Sequence, residues 1–253
     1  MDKLVEVYSN VLKPNKNEQT FFTNKNKRRT PVIQIRVGNV HNITTASEKS
    51  MQKVTSQTVD RDQIKELNLN SRIIEYTESI KTSLSFVFHE IKPIIIENNG
   101  KRETFLNEFG VDVLYTENNK NSFKHKGINE LMDIKSAISA YDIKDDDIII
   151  KITGRYKLID DSFFRSVLEN AESCDAFIKF FNVIEEKFVR NDCVLGLFAI
   201  RCKYLKSFEY DPYLEIPETQ FAEYVRKSDC RIFEMGRLGL RCKFSDTQKI
   251  LHV

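Results

Sequence analysis

The sequence has no tryptophan and only eight glycines and five prolines among its 253 residues, so it lacks the biases that mark several classes of protein. A collagen-like chain needs glycine at every third position, and a disordered chain is rich in polar residues and poor in apolar ones. Here 41% of the residues are hydrophobic and 30% are charged. This balance predicts a soluble globular protein that is long enough to bury a substantial core.

Cysteine is also scarce, and its spacing gives no sign of a disulfide framework or a zinc knuckle. The chain has Cys174, Cys193, Cys202, Cys230 and Cys242, which is an odd number with no C-x-x-C pair. Disulfide scaffolds and zinc sites need paired or closely spaced cysteines. We therefore expect buried thiols, a reducing compartment and a cytoplasmic location.

Long apolar runs and a strong charge of one sign are both missing. Runs such as Ile148 to Ile150 are far too short to span a bilayer, and the first residues do not read as a secretory signal. Lys and Arg total 39 against 37 Asp and Glu, so the net charge is +2. So weak a field does not indicate nucleic acid or an anionic membrane as a partner, and we expect neither, nor a membrane span.

The first seventy residues are polar and irregular. Alternating apolar residues between Val32 and Val37 predict a single strand there. We interpret residues 1–70 as a polar extension or insertion around that strand.

From about residue 72 onward, helical and strand-like segments alternate. Apolar residues at helical spacing predict a helix that ends at Lys92, before Pro93. A second helix is predicted from about Gly127 to Tyr141. Short apolar runs predict buried strands at 94–96, 111–114 and 148–152. Such an alternation is typical of parallel βαβ units with helices on both faces of a sheet.

In sheets of this kind, ligands bind beyond the carboxyl ends of the strands. The segments in that position are ENNG at 97–100, TENN at 116–119 and TGRY at 153–156. We therefore look for binding residues in these three turns.

The order of the elements resembles the nucleotide-sugar half of GT-A glycosyltransferases. A strand that ends in an Asn-rich turn, a helix that begins at Lys126-Gly127, and an apolar strand with a turn after it follow one another as in that superfamily. The resemblance covers about residues 72 to 225 and implies an α/β fold, a Rossmann-like mixed sheet flanked by helices. It implies a GT-A-like domain over 71–253, with a nucleotide-sugar half at 72–165 and an acceptor half at 166–253.

The resemblance also implies where the donor binds. The donor-binding residues would be Asn98, Asn99, Lys126, Gly127, Thr153, Gly154, Arg155 and Tyr156. The superfamily commonly has an Asp-x-Asp motif for a divalent metal where this chain has Thr153-Gly154-Arg155. Because a guanidinium can bind a diphosphate through two hydrogen bonds, we predict a donor site without a metal.

Two aspartates keep the alternatives to this prediction open. A salt bridge from Arg155 to Asp160 or Asp161 would make the arginine a structural residue. The same two aspartates are the fallback ligands for Mn²⁺ or Mg²⁺, since hard cations prefer carboxylate oxygens.

The segments DCVLGLFAIRCKYLKSF and LEIPETQFAEYV resemble the acceptor half of the superfamily. Gly196 matches the glycine that lines the sugar site, and Glu218 matches the acid near the acceptor hydroxyl. Inverting transfer needs a general base, and we assign that role to Glu218. A first-turn helix acid after Pro217 is the structural alternative, and Glu215 and Glu223 are weaker choices for the base.

The basic tail GRLGLRCK offers further cations after the acceptor half. Arg237, Arg241 and Lys243 would neutralise the leaving diphosphate, as cations near the carboxyl terminus do in some GT-A enzymes that lack a metal. A solvated edge strand explains the same residues.

These observations predict an enzyme, a glycosyltransferase of the hexosyl or pentosyl class, that moves a sugar from a nucleotide-sugar donor to a hydroxyl of a glycan or glycoprotein. No cofactor is predicted unless Mn²⁺ or Mg²⁺ binds at the fallback aspartates. A non-catalytic α/β binding module remains open because the Asp-x-Asp motif is missing. A nucleotidyltransferase also remains open, because it shares the sheet and the donor chemistry.

Overall fold

The computed structural model describes residues 32–37, 61–102, 104–121, 123, 126–213, 216–243 and 250–253. These ranges contain ten strands and five α-helices. The strands are β1 (Val32–Val37), β2 (Lys92–Glu97), β3 (Asp112–Tyr115), β4 (Ile148–Thr153), β5 (Lys157–Leu158), β6 (Ala176–Ile178), β7 (Leu197–Arg201), β8 (Ile232–Glu234), β9 (Leu240–Lys243) and β10 (Ile250–His252). The helices are α1 (Arg61–Ser85), α2 (Lys126–Ala140), α3 (Ser162–Asn170), α4 (Cys202–Ser207) and α5 (Pro217–Lys227).

Seven of the strands form one mixed sheet in the order β3-β2-β1-β4-β7-β6-β8. Neighbouring strands pair in parallel except at β7, which runs antiparallel to both β4 and β6. Strands β10, β9 and β5 form a second, antiparallel sheet. The predicted α/β fold class with a mixed sheet flanked by helices is confirmed.

Helices cover both faces of the large sheet, which explains why its central strands are almost continuously apolar. In β4, Ile150 and Ile152 pack in the core on the side of α1 and α3. Ile149 points the opposite way and packs in the core on the side of α2, α4 and α5. The alternation of side chains along a strand thus lets one apolar run support two cores. None of the described helices combines the length and apolarity that a membrane span requires.

Strand β1 is an interior strand of the large sheet. It pairs with β2 on one side and β4 on the other, with Ile35 opposite both Ile95 and Ile152. Helix α1 also runs across residue 70. The division of the chain near that residue stays a prediction, because an insertion around one strand is compatible with a place of that strand inside the sheet. Parallel partners are joined by long crossovers, so the local pattern around β1 cannot show where the strand pairs.

The predicted end of the first helix was wrong. Helix α1 ends at Ser85, and Pro93 lies inside β2, opposite Ile33. The chain leaves the helix through two hydrogen bonds that each span three residues. Phe86 N donates to Ser83 O at 3.2 Å, and Val87 N donates to Leu84 O at 3.3 Å. Bonds of this spacing close a last turn without help from a proline.

The carboxyl ends of β2, β3, β4, β6 and β8 lie at one edge of the large sheet. Because β7 is antiparallel, its amino end lies at the same edge, beside β4 and β6. Helices α2 and α5 begin on this side. The topology thus brings the three polar turns and the Gly196 segment to one place, where parallel sheets bind ligands.

Candidate active site

Helices α2 and α5 meet at their first turns. A Cβ atom on Gly127 would lie 2.7 Å from Cβ of Pro217, so only glycine allows this approach. Pro217 opens α5, where its fixed φ suits the first helical position, and Glu218 follows in the first turn. The contact therefore places Glu218 next to the start of α2, and it gives Gly127 a packing role.

A buried lysine lies close to this contact. Lys151 is 2% exposed, and its Nζ lies 2.6 Å from Glu130 Oε2, 2.9 Å from Thr153 Oγ1 and 2.5 Å from the Leu195 carbonyl oxygen. These contacts use the three N–H donors of the ammonium group. Because a buried charge is tolerated only when it is paired and hydrogen-bonded, this set of partners explains how a lysine can occupy an apolar strand.

The half-buried carboxyl of Glu218 has a raised pKa. Burial is the main cause, and the carboxylates of Glu130 and Asp192 raise the pKa further. The residue's own backbone N–H and the ammonium of Lys151 act in the opposite direction. A carboxylate whose pKa lies above the ordinary value is suited to accept a proton near neutral pH.

The turn after β4 packs directly against the Gly196 segment. Thr153 N donates to Gly196 O at 2.9 Å, and Tyr156 N donates to Thr153 O at 2.9 Å. A Cβ atom on Gly196 would lie 2.4 Å from Tyr156 Cε2, so the ring covers this glycine. Burial raises the pKa of Tyr156 to about 12. Tyr156 is thus packed into the wall of the site, and Gly154 in the same turn is buried.

Arg155 is the member of this turn with unused hydrogen-bonding capacity. Its Cζ lies 5.8 Å from the centre of the Tyr156 ring, and its buried Nε has no hydrogen-bond partner among the described residues. The thiol of Cys242 is nearby. Burial raises the pKa of this thiol to about 12, while the charges of Arg155 and Lys151 act to lower it. The guanidinium also has a side-chain hydrogen bond with Tyr156, so its Nε–H is the buried donor that has no partner among the described residues.

The two aspartates after the turn are engaged elsewhere. Asp160 Oδ1 accepts hydrogen bonds from Ser162 N at 3.1 Å and Ser162 Oγ at 2.5 Å, and Asp160 Oδ2 lies 3.1 Å from Arg237 Nη2. Asp161 Oδ2 lies 2.7 Å from Arg165 Nη2. The expected alternative of a salt bridge to Arg155 is not found.

These residues do not fit a divalent metal. Thr153, Gly154 and Arg155 supply no carboxylate in the turn after β4. In the part of the chain that the structure describes, no three His, Cys, Asp or Glu side chains converge in a way that could hold an ion. We therefore derive no chemical step through a metal.

The Asn-rich turns after β2 and β3 are held by one buried acid. Asp133 on α2 accepts hydrogen bonds from Asn98 Nδ2 at 3.0 Å, Thr116 Oγ1 at 2.7 Å and Asn118 Nδ2 at 2.8 Å. Asn98 is itself fully buried, so it forms part of the wall beneath the crevice. Its expected contact with the donor stays a prediction, and it would require the turn to move.

Asn99, in contrast, is only half-buried in the same turn. Its Nδ2 donates to Glu97 Oε1 at 2.5 Å, and its Oδ1 accepts from Asn119 Nδ2 at 2.6 Å. The bond between Asn99 and Asn119 joins the turns after β2 and β3. Asn99 is therefore better placed than Asn98 to contact a ligand at this edge.

The basic tail lies beside the turn after β4 but does not converge on it. Arg237 pairs with Asp160. Arg241 is exposed on β9, whereas its neighbour Cys242 is buried on the other face of the small sheet. Because side chains alternate along a strand, Arg241 points away from Arg155. Its role at the diphosphate stays a prediction.

Three predicted side chains cannot be placed. The side chains of Lys126 and Lys243 and the whole of Glu215 lie outside the described residues. Glu223, the other alternative base, pairs with Lys227 at 2.7 Å on α5 and does not contribute to the charge around Glu218.

Sequence reasoning missed Lys151, Glu130 and Asp133. A signal for the first was present, because lysine is almost never buried unless it is paired, and Lys151 interrupts an apolar strand. Glu130 and Asp133 carry no such signal, since an acid on a helix usually faces solvent.

No protein-family model matches the chain, and no curated protein matches it. Solved structures are similar in fold. A mannosyltransferase from Pyrobaculum calidifontis, solved with GDP-mannose and Mn²⁺, has a TM-score of 0.50 at 6% identity. The match covers 83% of this chain and 55% of the mannosyltransferase, so this chain spans about half the length of that protein.

Two further structures have lower scores. A protein described as a nucleotide-diphospho-sugar transferase from Desulfovibrio desulfuricans has a TM-score of 0.46 at 11% identity, covering 81% of this chain and 79% of its own. An inositol-1-phosphate CTP transferase from T. maritima has 0.44 at 11% identity, covering 82% and 86%. At these identities the comparisons show a GT-A-like nucleotide-sugar transferase fold and nothing beyond the fold.

Proposed function

We propose that this protein is a glycosyltransferase that moves a sugar from a nucleotide-sugar donor to a hydroxyl of a glycan or glycoprotein. The observation that carries the proposal is the place of Glu218, at the first turn of α5 on the ligand-binding edge of a GT-A-like sheet. There its carboxyl lies near the Lys151–Glu130 ion pair and has a raised pKa. Because a fold does not fix a function, the proposal rests on this site.

The chemistry assigned to Glu218 is general base catalysis with inversion. Its carboxylate accepts the proton of the acceptor hydroxyl as the hydroxyl oxygen bonds to the anomeric carbon. The bond from that carbon to the diphosphate breaks, and the nucleoside diphosphate leaves with the bonding electrons. The proton on Glu218 then passes to solvent, and the carboxylate is ready for another turnover.

Arg155 would bind the diphosphate of the donor. Its unsatisfied Nε–H supports this role, because a buried donor without a partner is costly and a phosphate oxygen would satisfy it. In this proposal Asn99, Thr153 and Gly154 belong to the donor side, and Gly196 belongs to the acceptor side together with Glu218.

Nucleotide binding is the first test of this proposal. We expect a nucleoside diphosphate or its sugar to raise the melting temperature, because a ligand held at 100 times its Kd stabilises the native state by about 2.7 kcal/mol. A thermal-shift screen over the common bases measures this. An unchanged melting temperature with every compound would contradict the proposal. Binding without turnover would favour a binding module, and release of pyrophosphate from a nucleoside triphosphate would favour a nucleotidyltransferase.

Arg155→Ala is expected to weaken donor binding by about 1.5 to 3 kcal/mol, the usual range for a hydrogen bond to a charged group. Arg155→Lys should restore only part of the affinity, because an ammonium cannot form the paired bonds of a guanidinium. Isothermal titration with the donor measures both. Arg165→Ala, which removes a surface cation that pairs with Asp161, is the matched control and should leave the affinity unchanged.

The donor site is also expected to work without a divalent ion. Turnover should persist in excess chelator, because Asp160 and Asp161 are engaged with Ser162, Arg237 and Arg165. Loss of turnover in chelator, restored by Mn²⁺ or Mg²⁺, would contradict this expectation and move the diphosphate site to the two aspartates.

A further inference from the structure

The buried ammonium of Lys151 joins three parts of the candidate site. Glu130 brings in α2, Thr153 brings in the turn after β4, and the Leu195 carbonyl brings in the segment that precedes Gly196. The lysine is on the central strand, and its side chain is only 3% exposed. A loss of this side chain would therefore disturb several elements at once.

The same pair lies next to the proposed base. The contact between Gly127 and Pro217 sets the first turns of α2 and α5 against each other, so Glu130 and Glu218 project from adjacent helix ends. The charged groups close enough to act on the Glu218 carboxyl are Glu130 from α2, Lys151 from β4 and Asp192 from the connection before β7. The charge of Glu218 in turn acts on Cys193 and Tyr210, and the thiol of Cys193 donates to the Glu218 backbone carbonyl at 3.3 Å.

Together with Glu218, these charged groups comprise one cation, Lys151, and three carboxylates. The carboxylate of Glu130 lies 2.6 Å from the ammonium of Lys151, so the two opposite charges largely offset each other at Glu218. If Glu130 lost its charge, the ammonium would act on Glu218 without that compensation. In a partly dry site such a change alters the balance between the two forms of a carboxyl group.

We propose that Lys151 and Glu130 form a positioning pair, which holds the Thr153 turn against the Gly196 segment and sets the electrostatic environment of the Glu218 carboxylate. In this proposal the pair acts through its neighbours and not by direct contact with the donor or the acceptor. Its effect on the charge state of Glu218 is a property of the free protein, whereas its effect on turnover rests on the proposed function.

The test is a carboxyl ¹³C NMR titration of the full chain without ligand, in which Glu218 is assigned by its absence in Glu218→Gln. Glu130→Gln should lower the pKa of Glu218 by about one unit, and Lys151→Met should raise it by about one unit, the size of effect expected from a charge at close range. In turnover, the acid limb of the kcat/KM profile should move in the same directions. Lys151→Met should also raise the KM for the donor. Glu130→Gln should not, because it keeps the hydrogen bond from Lys151 to Thr153.

Glu209→Gln is the matched control, because it removes the partner of Lys135 on the exposed side of α2. An unchanged titration of Glu218 in Glu130→Gln would overturn the inference, and this conservative variant keeps the test valid if Lys151→Met fails to fold. Shifts of the expected sign in a protein that transfers no sugar would support the pair and reject the proposed function. If the pKa of Glu218 shifted no more in Glu130→Gln and Lys151→Met than in Glu209→Gln, the role of the Lys151–Glu130 pair would be rejected even if the protein transferred sugar.

Discussion

Glu218→Gln is expected to lower kcat by about 10²- to 10⁴-fold, the range for loss of a positioned general base. Glutamine keeps the size of the side chain and its place in the first turn of α5, but it cannot accept the proton of the acceptor hydroxyl. Donor affinity should be unchanged, because the proposal assigns the diphosphate to Arg155 and the turn after β4 and not to Glu218. Steady-state kinetics together with donor titration measures the two effects separately.

Glu223→Gln is the matched control for this variant. It changes the same residue type on the same helix, where the carboxylate pairs with Lys227. It should retain wild-type kcat. A Glu218→Gln protein with full turnover would reject the assigned base and indicate either a retaining mechanism, which needs no base of this kind, or a base in the undescribed segment that contains Glu215.

The sequence predicted the strands of the large sheet well where the strands are buried on both faces. The runs at 94–96 and 148–152 became the centres of β2 and β4, because only a sheet covered by helices on both sides tolerates such continuous apolar residues. The place of β1 could not be predicted. Its pairing with β2 and β4 depends on segments more than fifty residues away, and its polar surroundings suggested an extension.

The candidate site shows the same limit at the level of single residues. Glycines at 127 and 196 were expected next to ligands, and both lie at the edge of the sheet where the carboxyl ends of the parallel strands meet. The structure shows that each glycine is required by a contact with a distant residue, Pro217 in one case and Tyr156 in the other. A sequence alone does not reveal such pairs, since they depend on how helix ends and turns meet in three dimensions.

Away from the site, the largest expected effect on stability is that of Asp175→Ala. Asp175 lies between two arginines, with Arg201 Nε at 2.6 Å and Arg231 Nε at 2.9 Å, and Arg201 is 3% exposed. Removal of the aspartate would leave the guanidinium of Arg201 buried without its counter-charge. The free energy of unfolding should fall by about 3 to 5 kcal/mol, the usual effect of breaking a buried ion pair. Urea denaturation at neutral pH measures the change.

The difference in the free energy of unfolding between wild type and Asp175→Ala should depend on pH if the ion pairs of Asp175 cause it. Hydrogen bonds from Arg231 and Arg201 hold the pKa of Asp175 well below its ordinary value. A lowered pKa means that the stabilisation is complete above about pH 4, near the ordinary value for aspartate, and is lost as the pH falls toward the folded-state value. The difference in the free energy of unfolding between wild type and Asp175→Ala should therefore narrow in acid.

Glu223→Ala, which breaks an exposed pair with Lys227, should change stability by about 0.3 to 0.5 kcal/mol. If Asp175→Ala lost as little stability as Glu223→Ala, or if its difference from wild type did not narrow in acid, the ion pairs of Asp175 would not stabilise the fold.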